Sequence, residues 1–155
     1  MKYIVLSFLL LFSACGIKNY ETTQTKVIII KSPLIKFSDL GYIRNSDEVI
    51  EMELFIAGKV IQKITINHLI CVSEGCMSKR GFNEEYLNEN YPSNILQNII
   101  LAKPIYDGLN KEKTLDGFEQ KIKDVHVDIK YRVSNGVTFF KDKTNNIIIK
   151  IKDTK

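Results

Sequence analysis

From Val125 to Val133 the chain alternates without a break: Val125, Val127, Ile129, Tyr131 and Val133 are apolar, and the four residues between them are polar. Side chains of a strand point to opposite faces in turn, so this period of two predicts a strand with one buried and one wet face, which favours antiparallel pairing. Ser134-Asn135-Gly136 supplies a hairpin turn, and Val137–Lys141 and Ile147–Lys152 form a closing pair around residues 142–146. Upstream, Val27–Ile30 is a β-branched run terminated by Pro33, and Leu34–Ile43 is a second extended segment with a break at Asp39-Leu40-Gly41. Glu48–Ala57 and Lys59–Asn67 read as a hairpin about Gly58: Ile50, Met52, Leu54 and Ile56 share one face of the first strand, with Glu51 and Glu53 opposite.

Two stretches break this period. Phe82–Leu87 offers Asn83 as a cap, acids in the first turn and an apolar pair, predicting a helix over residues 83–90 that Pro92 ends. Ile95, Leu96, Ile99 and Ile100 fall on one helical stripe and predict a second helix over 93–102, closed by Pro104. Residues 105–117 read as a looser connection. The fold class is α+β: an antiparallel sheet of about seven strands whose apolar face two short helices must cover.

The longest apolar run lies elsewhere. Lys2 precedes an apolar core from Tyr3 to Leu11, followed by Phe12, the small residues Ser13 and Ala14 and then Cys15. These are the three parts of a secretory signal, and the run is well short of the roughly 20 residues that span a bilayer. Phe12-Ser13-Ala14-Cys15 resembles the lipobox of bacterial lipoproteins. The resemblance implies cleavage before Cys15, a diacylglyceryl thioether on its sulfur and acylation of the new amino terminus. Residues 1–14 are then a signal peptide, residues 15–25 a lipidated cysteine and polar tether, and residues 26–155 a single β-rich domain. Gly16 stands where an Asp would signal inner-membrane retention, so the same resemblance points to the outer membrane, with the domain facing the periplasm.

The net charge of +4 comes from 22 Lys+Arg against 18 Asp+Glu, interspersed along the chain. That suits an anionic membrane surface nearby but is too weak for a nucleic-acid binder. With Cys15 lipidated, Cys71 and Cys76 remain as an even pair in an oxidising compartment, which predicts a disulfide. A redox-active dithiol is the sharper alternative, though such sites favour Cys-x-x-Cys at a helix start.

Other chemistry is sparse. His68 and His126 are the only histidines and do not sit at zinc-finger spacing, so no metal or cofactor is expected. Ser73 and Ser78 lack a nucleophile elbow, and the eight glycines form no phosphate loop. Glu51 and Glu53 lie side by side on a strand face, where a solvated surface outweighs an acid/base pair. Lys79-Arg80 is a small basic spot beside the cysteines. An enzyme is disfavoured.

The order of elements, a β region, the helical stretch 82–105, Gly117-Phe118, the alternating strand to Tyr131 and the closing Ile147–Ile151 pair, resembles the outer-membrane lipoprotein receptor of the lipoprotein-localisation pathway, over about residues 34–152. It also resembles small lipoproteins of epsilon-proteobacteria. The receptor resemblance implies a half-open barrel or strongly curved sheet with the helices packed into it. It further implies a non-enzymatic binding module for acyl chains or other envelope lipoproteins. The apolar faces of the strands and helices supply the lining expected of such a module: Met52, Leu54, Ile64, Ile66, Ile129 and Tyr131 around a cavity, with Leu96 and Ile100 in its lid. The alternative is a solid β domain presenting a surface to an envelope partner.

Overall fold

The computed structural model describes residues 20–154. Eleven strands form one sheet in the order β6-β5-β4-β3-β2-β1-β11-β10-β9-β8-β7, with every neighbouring pair antiparallel. In chain order these are β1 (Thr22–Lys31), β2 (Lys36–Asn45), β3 (Ile50–Ile56), β4 (Lys59–Ile66), β5 (Leu69–Val72) and β6 (Gly75–Ser78), then β7 (Lys111–Thr114), β8 (Gly117–Lys123), β9 (Asp128–Ser134), β10 (Val137–Asp142) and β11 (Ile147–Asp153). The sheet does not close, because β6 and β7 each pair with a single neighbour. Between them run α1 (Lys79–Tyr86), α2 (Ile95–Ile100) and a short 3-10 turn at Tyr106–Gly108.

The predicted hairpin about Gly58 is β3–β4, and the closing pair is β10–β11. Four strands were not foreseen. β5 and β6 form a two-residue hairpin through the cysteine loop, and β7 and β8 occupy the end of the supposed loose connection and the segment after it. β1 starts at Thr22, so residues 22–25, expected in the tether, belong to the sheet and pair with residues 42–45 of β2.

The alternating strand is shorter than its pattern. β9 begins at Asp128, because the Asp124 carboxylate accepts the backbone N–H groups of His126 and Val127 and folds residues 124–127 into a turn. Val125 is thereby turned out to solvent, and His126 is an exposed loop residue and not a strand residue.

The first helix starts a turn earlier than expected. Ser78, not Asn83, is the cap, its Oγ accepting from the Gly81 N–H at 3.0 Å. Asn83 instead sits fully buried within α1 and donates to the carbonyls of Tyr91 and Pro92, holding the connection to α2. α2 presents the foreseen stripe, with Ile95, Leu96, Ile99 and Ile100 all buried.

One face of the sheet and the helices share a single core that includes Ile28, Leu54, Phe82, Ile99, Tyr131 and Phe140. Close packing within the sheet fixes Gly117: a Cβ there would lie 1.9 Å from the Val133 carbonyl oxygen.

Candidate functional site

The strongest candidate site is a cleft where the C-terminal end of α2 meets the buried face of the sheet. Ile43 of β2, Val133 of β9, Thr138 of β10 and Ile151 of β11 contribute to its wall, with Ile100 and Leu101 from the helix end. Its volume is about 360 Å³, within the range of small-molecule sites. The rim is polar: Thr22, Gln24 and Lys26 of β1, Asn45 of β2 and Asp153 of β11. Lys26 and Asp153 are register partners across β1–β11 and form an ion pair there. A second hollow of about 270 Å³ also borders Leu101 and reaches Ile50, Ile66 and the acidic Asp47-Glu48 turn.

These residues face the cleft for a local reason. The inward positions of β1 are Thr22, Gln24, Lys26, Ile28 and Ile30, so the strand changes from polar to fully apolar as it passes beneath the helices. Such an arrangement has an apolar floor and a polar, charge-paired rim, which suits an amphiphile whose tail is buried and whose head stays wet.

The eight residues expected to line a cavity are brought together, but as packed core. Met52, Leu54, Ile64, Ile66, Leu96, Ile100, Ile129 and Tyr131 all belong to the one buried cluster and touch the same apolar interior. Of the eight, Ile100 lines the main cleft and Ile66 the adjoining hollow. Cys71 and Cys76 stand opposite each other across β5–β6 with sulfurs 2.01 Å apart, at disulfide distance. Cys15 and residues 1–14 lie outside the described residues.

Glu51 and Glu53 do not form a free or solvated acid pair. Glu51 is 3% exposed; it accepts from Arg44 at 2.9 Å, Lys63 at 2.8 Å and the Tyr20 hydroxyl at 2.8 Å. Glu53 pairs with Arg44 at 2.7 Å. Burial acts to raise the Glu51 carboxyl, yet the bonds from Lys63 and Tyr20 and the charges of Lys63 and Arg44 hold it below the usual range. Tyr20 is pushed up to about 12, first by burial and then by its bond to Glu51. The cluster fastens the start of β1 against the outer face of β3.

Two polar groups inside the fold escaped the sequence reading. The Gln120 side chain bonds both backbone groups of Ile105 at 2.9 Å and the Leu109 carbonyl at 2.7 Å, holding the segment after α2 on β8. The fully buried Asp142 accepts from the Tyr91 hydroxyl, the Asn145 amide and the backbone N–H groups of Asp128 and Thr144. The Asp142-x-x-Asn145 turn was the available signal for that cap. For Gln120, a polar residue at an inward position between Phe118 and Ile122 was the only one. Among the described residues no cluster of three metal-ligating side chains occurs, and no helix is long and apolar enough to cross a membrane.

No protein-family model matches this chain, and no curated protein or solved structure matches it at a significant level.

Proposed function

We propose that this protein is a lipid-anchored lipoprotein of the bacterial envelope, held in the outer membrane through acylated Cys15, whose β domain is a non-enzymatic binding module for acyl chains. The cleft at the end of α2 carries the reading: its floor is apolar, its rim is polar, and it is the place where the covered face of the sheet meets solvent.

The shape the reading needs is a sheet curled around α2 as a half-open barrel. Leu101 supports it, since this one residue borders both a hollow reaching Ile66 of β4 and a cleft reaching Val133 of β9. Those strands are six spacings apart in the sheet order, roughly 29 Å if the sheet were flat. A sheet wrapped around the end of α2 would bring both hollows to this one residue. An acyl chain entering beside Leu101 would gain about 0.8 kcal/mol for each buried methylene, and Lys26, exchanging Asp153 for the ligand, would meet a carboxylate or phosphate at the rim.

The packing of the eight expected lining residues into core favours a second reading, a solid domain that presents its surface to another envelope protein. Titration of the mature, unlipidated chain with a fluorescent fatty acid decides between them. Saturable binding that Leu101→Glu and Val133→Glu abolish, with little change in melting temperature, supports the cleft. Absence of binding by the unaltered chain removes it and leaves the interaction module.

A further inference from the structure

The outer face of the sheet over β8–β11 is basic in a patterned way. Register aligns Phe139 of β10 between Lys150 of β11 on one side and Arg132 of β9 on the other. Lys130 and Lys141 form the next row, and Lys152 lies opposite Val137 in the row before. Lys130, Arg132, Lys150, Val137 and Phe139 border a shallow groove of about 450 Å³. Acids on this part of the face stand at its margin: Glu119 on β8, which pairs with Lys121 and Lys130, Asp128, opposite Lys123 at the start of β9, and the exposed Asp116 in the turn before β8, whose carboxylate accepts from Ser134 and Asn135, both of which border the groove. Among the described residues Arg132, Lys141, Lys150 and Lys152 form no ion pair. The other half of the face differs, for Arg44 and Lys63 there are matched by Glu51 and Glu53. On this part of the face, cations thus surround one half-buried aromatic ring.

We propose that this face is a docking surface for an anionic phospholipid bilayer. Lysine and arginine stems lie along apolar surface while their heads reach for phosphate, and an aromatic ring among them sits at headgroup depth. Each basic side chain near an anionic leaflet adds attraction that salt screens. The tether geometry agrees. Tyr20 is fastened to the outer face at Glu51 of β3, four strand spacings from β10, or about 19 Å along the sheet. Cys15 is five residues before Tyr20, at most roughly 18 Å of chain. The inference is independent of acyl-chain binding in the cleft.

The test is co-sedimentation of the mature, unlipidated chain with vesicles. Binding to phosphatidylglycerol-containing vesicles, weak binding to pure phosphatidylcholine and release by salt are expected. The triple variant Lys130→Glu, Arg132→Glu, Lys150→Glu should bind roughly a hundredfold more weakly. A charge-matched control, Lys59→Glu, Arg80→Glu, Lys113→Glu, should keep most of the binding. Phe139→Ser, which leaves the charge untouched, should weaken it several-fold. Melting curves establish that each variant is folded. Equal binding to both vesicle types, an unaffected triple variant, or a control variant that loses as much would each overturn the proposal.

Discussion

The Tyr91 hydroxyl donates to Oδ2 of Asp142 at 2.7 Å, and both residues are shut away from solvent. The bond joins the connection between α1 and α2 to the last hairpin of the sheet, 51 residues further along the chain. Burial first, then the bond to Asp142, drives the Tyr91 phenol far above its ordinary value, so it remains a donor at every physiological pH. Tyr91→Phe keeps the ring that packs against Phe140 and removes one donor from a buried carboxylate. The expected cost is about 1.5–3 kcal/mol, read as a melting temperature lowered by roughly 5–10 °C. A variant that melts with the unaltered protein would mean the bond contributes nothing to holding the helices.

Asp142 also makes stability depend on acid. Burial acts to raise its carboxyl, but the bonds from Asn145, Tyr91 and the backbone N–H groups hold it below the ordinary aspartate value. Glu51 and Glu119 are likewise held down. A carboxylate with a depressed folded pKa adds stability above its unfolded value, and that addition disappears as pH falls through the folded one. The urea midpoint should therefore be flat near neutrality and fall below about pH 4. Asp142→Asn should start lower and lose less on acidification. If both proteins show the same acid slope, Asp142 is not a source of it.

Much of the sheet was legible because period-two alternation survives wherever one face is buried. The pairs β3–β4 and β10–β11 follow from Gly58 and from the turn after Asp142. What stayed hidden was short or polar. β7 is Lys-Glu-Lys-Thr, exposed throughout, and has no apolar face to announce it. The pattern at Val125 misled because a side-chain cap from Asp124 outcompeted strand pairing there. The candidate site was half visible: its apolar wall lay in the alternation, but Lys26 and Asp153 are 127 residues apart and meet only through β1–β11 pairing.

Gly117 tests how tightly β8 and β9 are packed. A Cβ at this position would overlap backbone, not a movable side-chain tip. Gly117→Ala must shift the strand pair and should destabilise by about 1–3 kcal/mol as an overpacking change. Gly58 is the comparison, since nothing lies within 4 Å of a Cβ there, although its positive φ also disfavours alanine. Equal stability of Gly117→Ala and the unaltered protein would show that the β8–β9 contact is looser than the geometry requires.

The Tyr20–Glu51 bond predicts a spectroscopic signature. Tyr20 is pushed up to about 12 by burial and by Glu51, so its phenolate absorbance should appear late in an alkaline titration. Glu51→Gln removes the negative charge and should move that titration back toward 10. The same change removes an ion-pair partner from Arg44 and Lys63 and should loosen the start of β1, detected as faster proteolysis near Tyr20. Tyr20→Phe supplies the assignment, because one phenol's share of the late absorbance must go with it, while Tyr106, also pushed up to about 12 by burial, keeps its own.

Cys15 carries the proposal that the domain is tethered to a membrane. Under that proposal, which rests on the apolar run from Tyr3 to Leu11 and on Phe12-Ser13-Ala14-Cys15, thioether acylation and not a transmembrane helix holds the mature chain. A single acyl chain gives only marginal membrane affinity, so firm retention requires the several chains that lipoprotein maturation attaches to this one residue. Cys15→Ala should abolish incorporation of labelled palmitate and release the protein from washed membranes. Its melting temperature, measured after removal of the signal, should not move, since every described core residue lies between Ile28 and Ile151. If the basic face of β8–β11 docks on phospholipid, the released variant should still return weakly to anionic vesicles at low salt. Palmitate labelling and salt-resistant retention that persist in Cys15→Ala would rule out the lipid anchor.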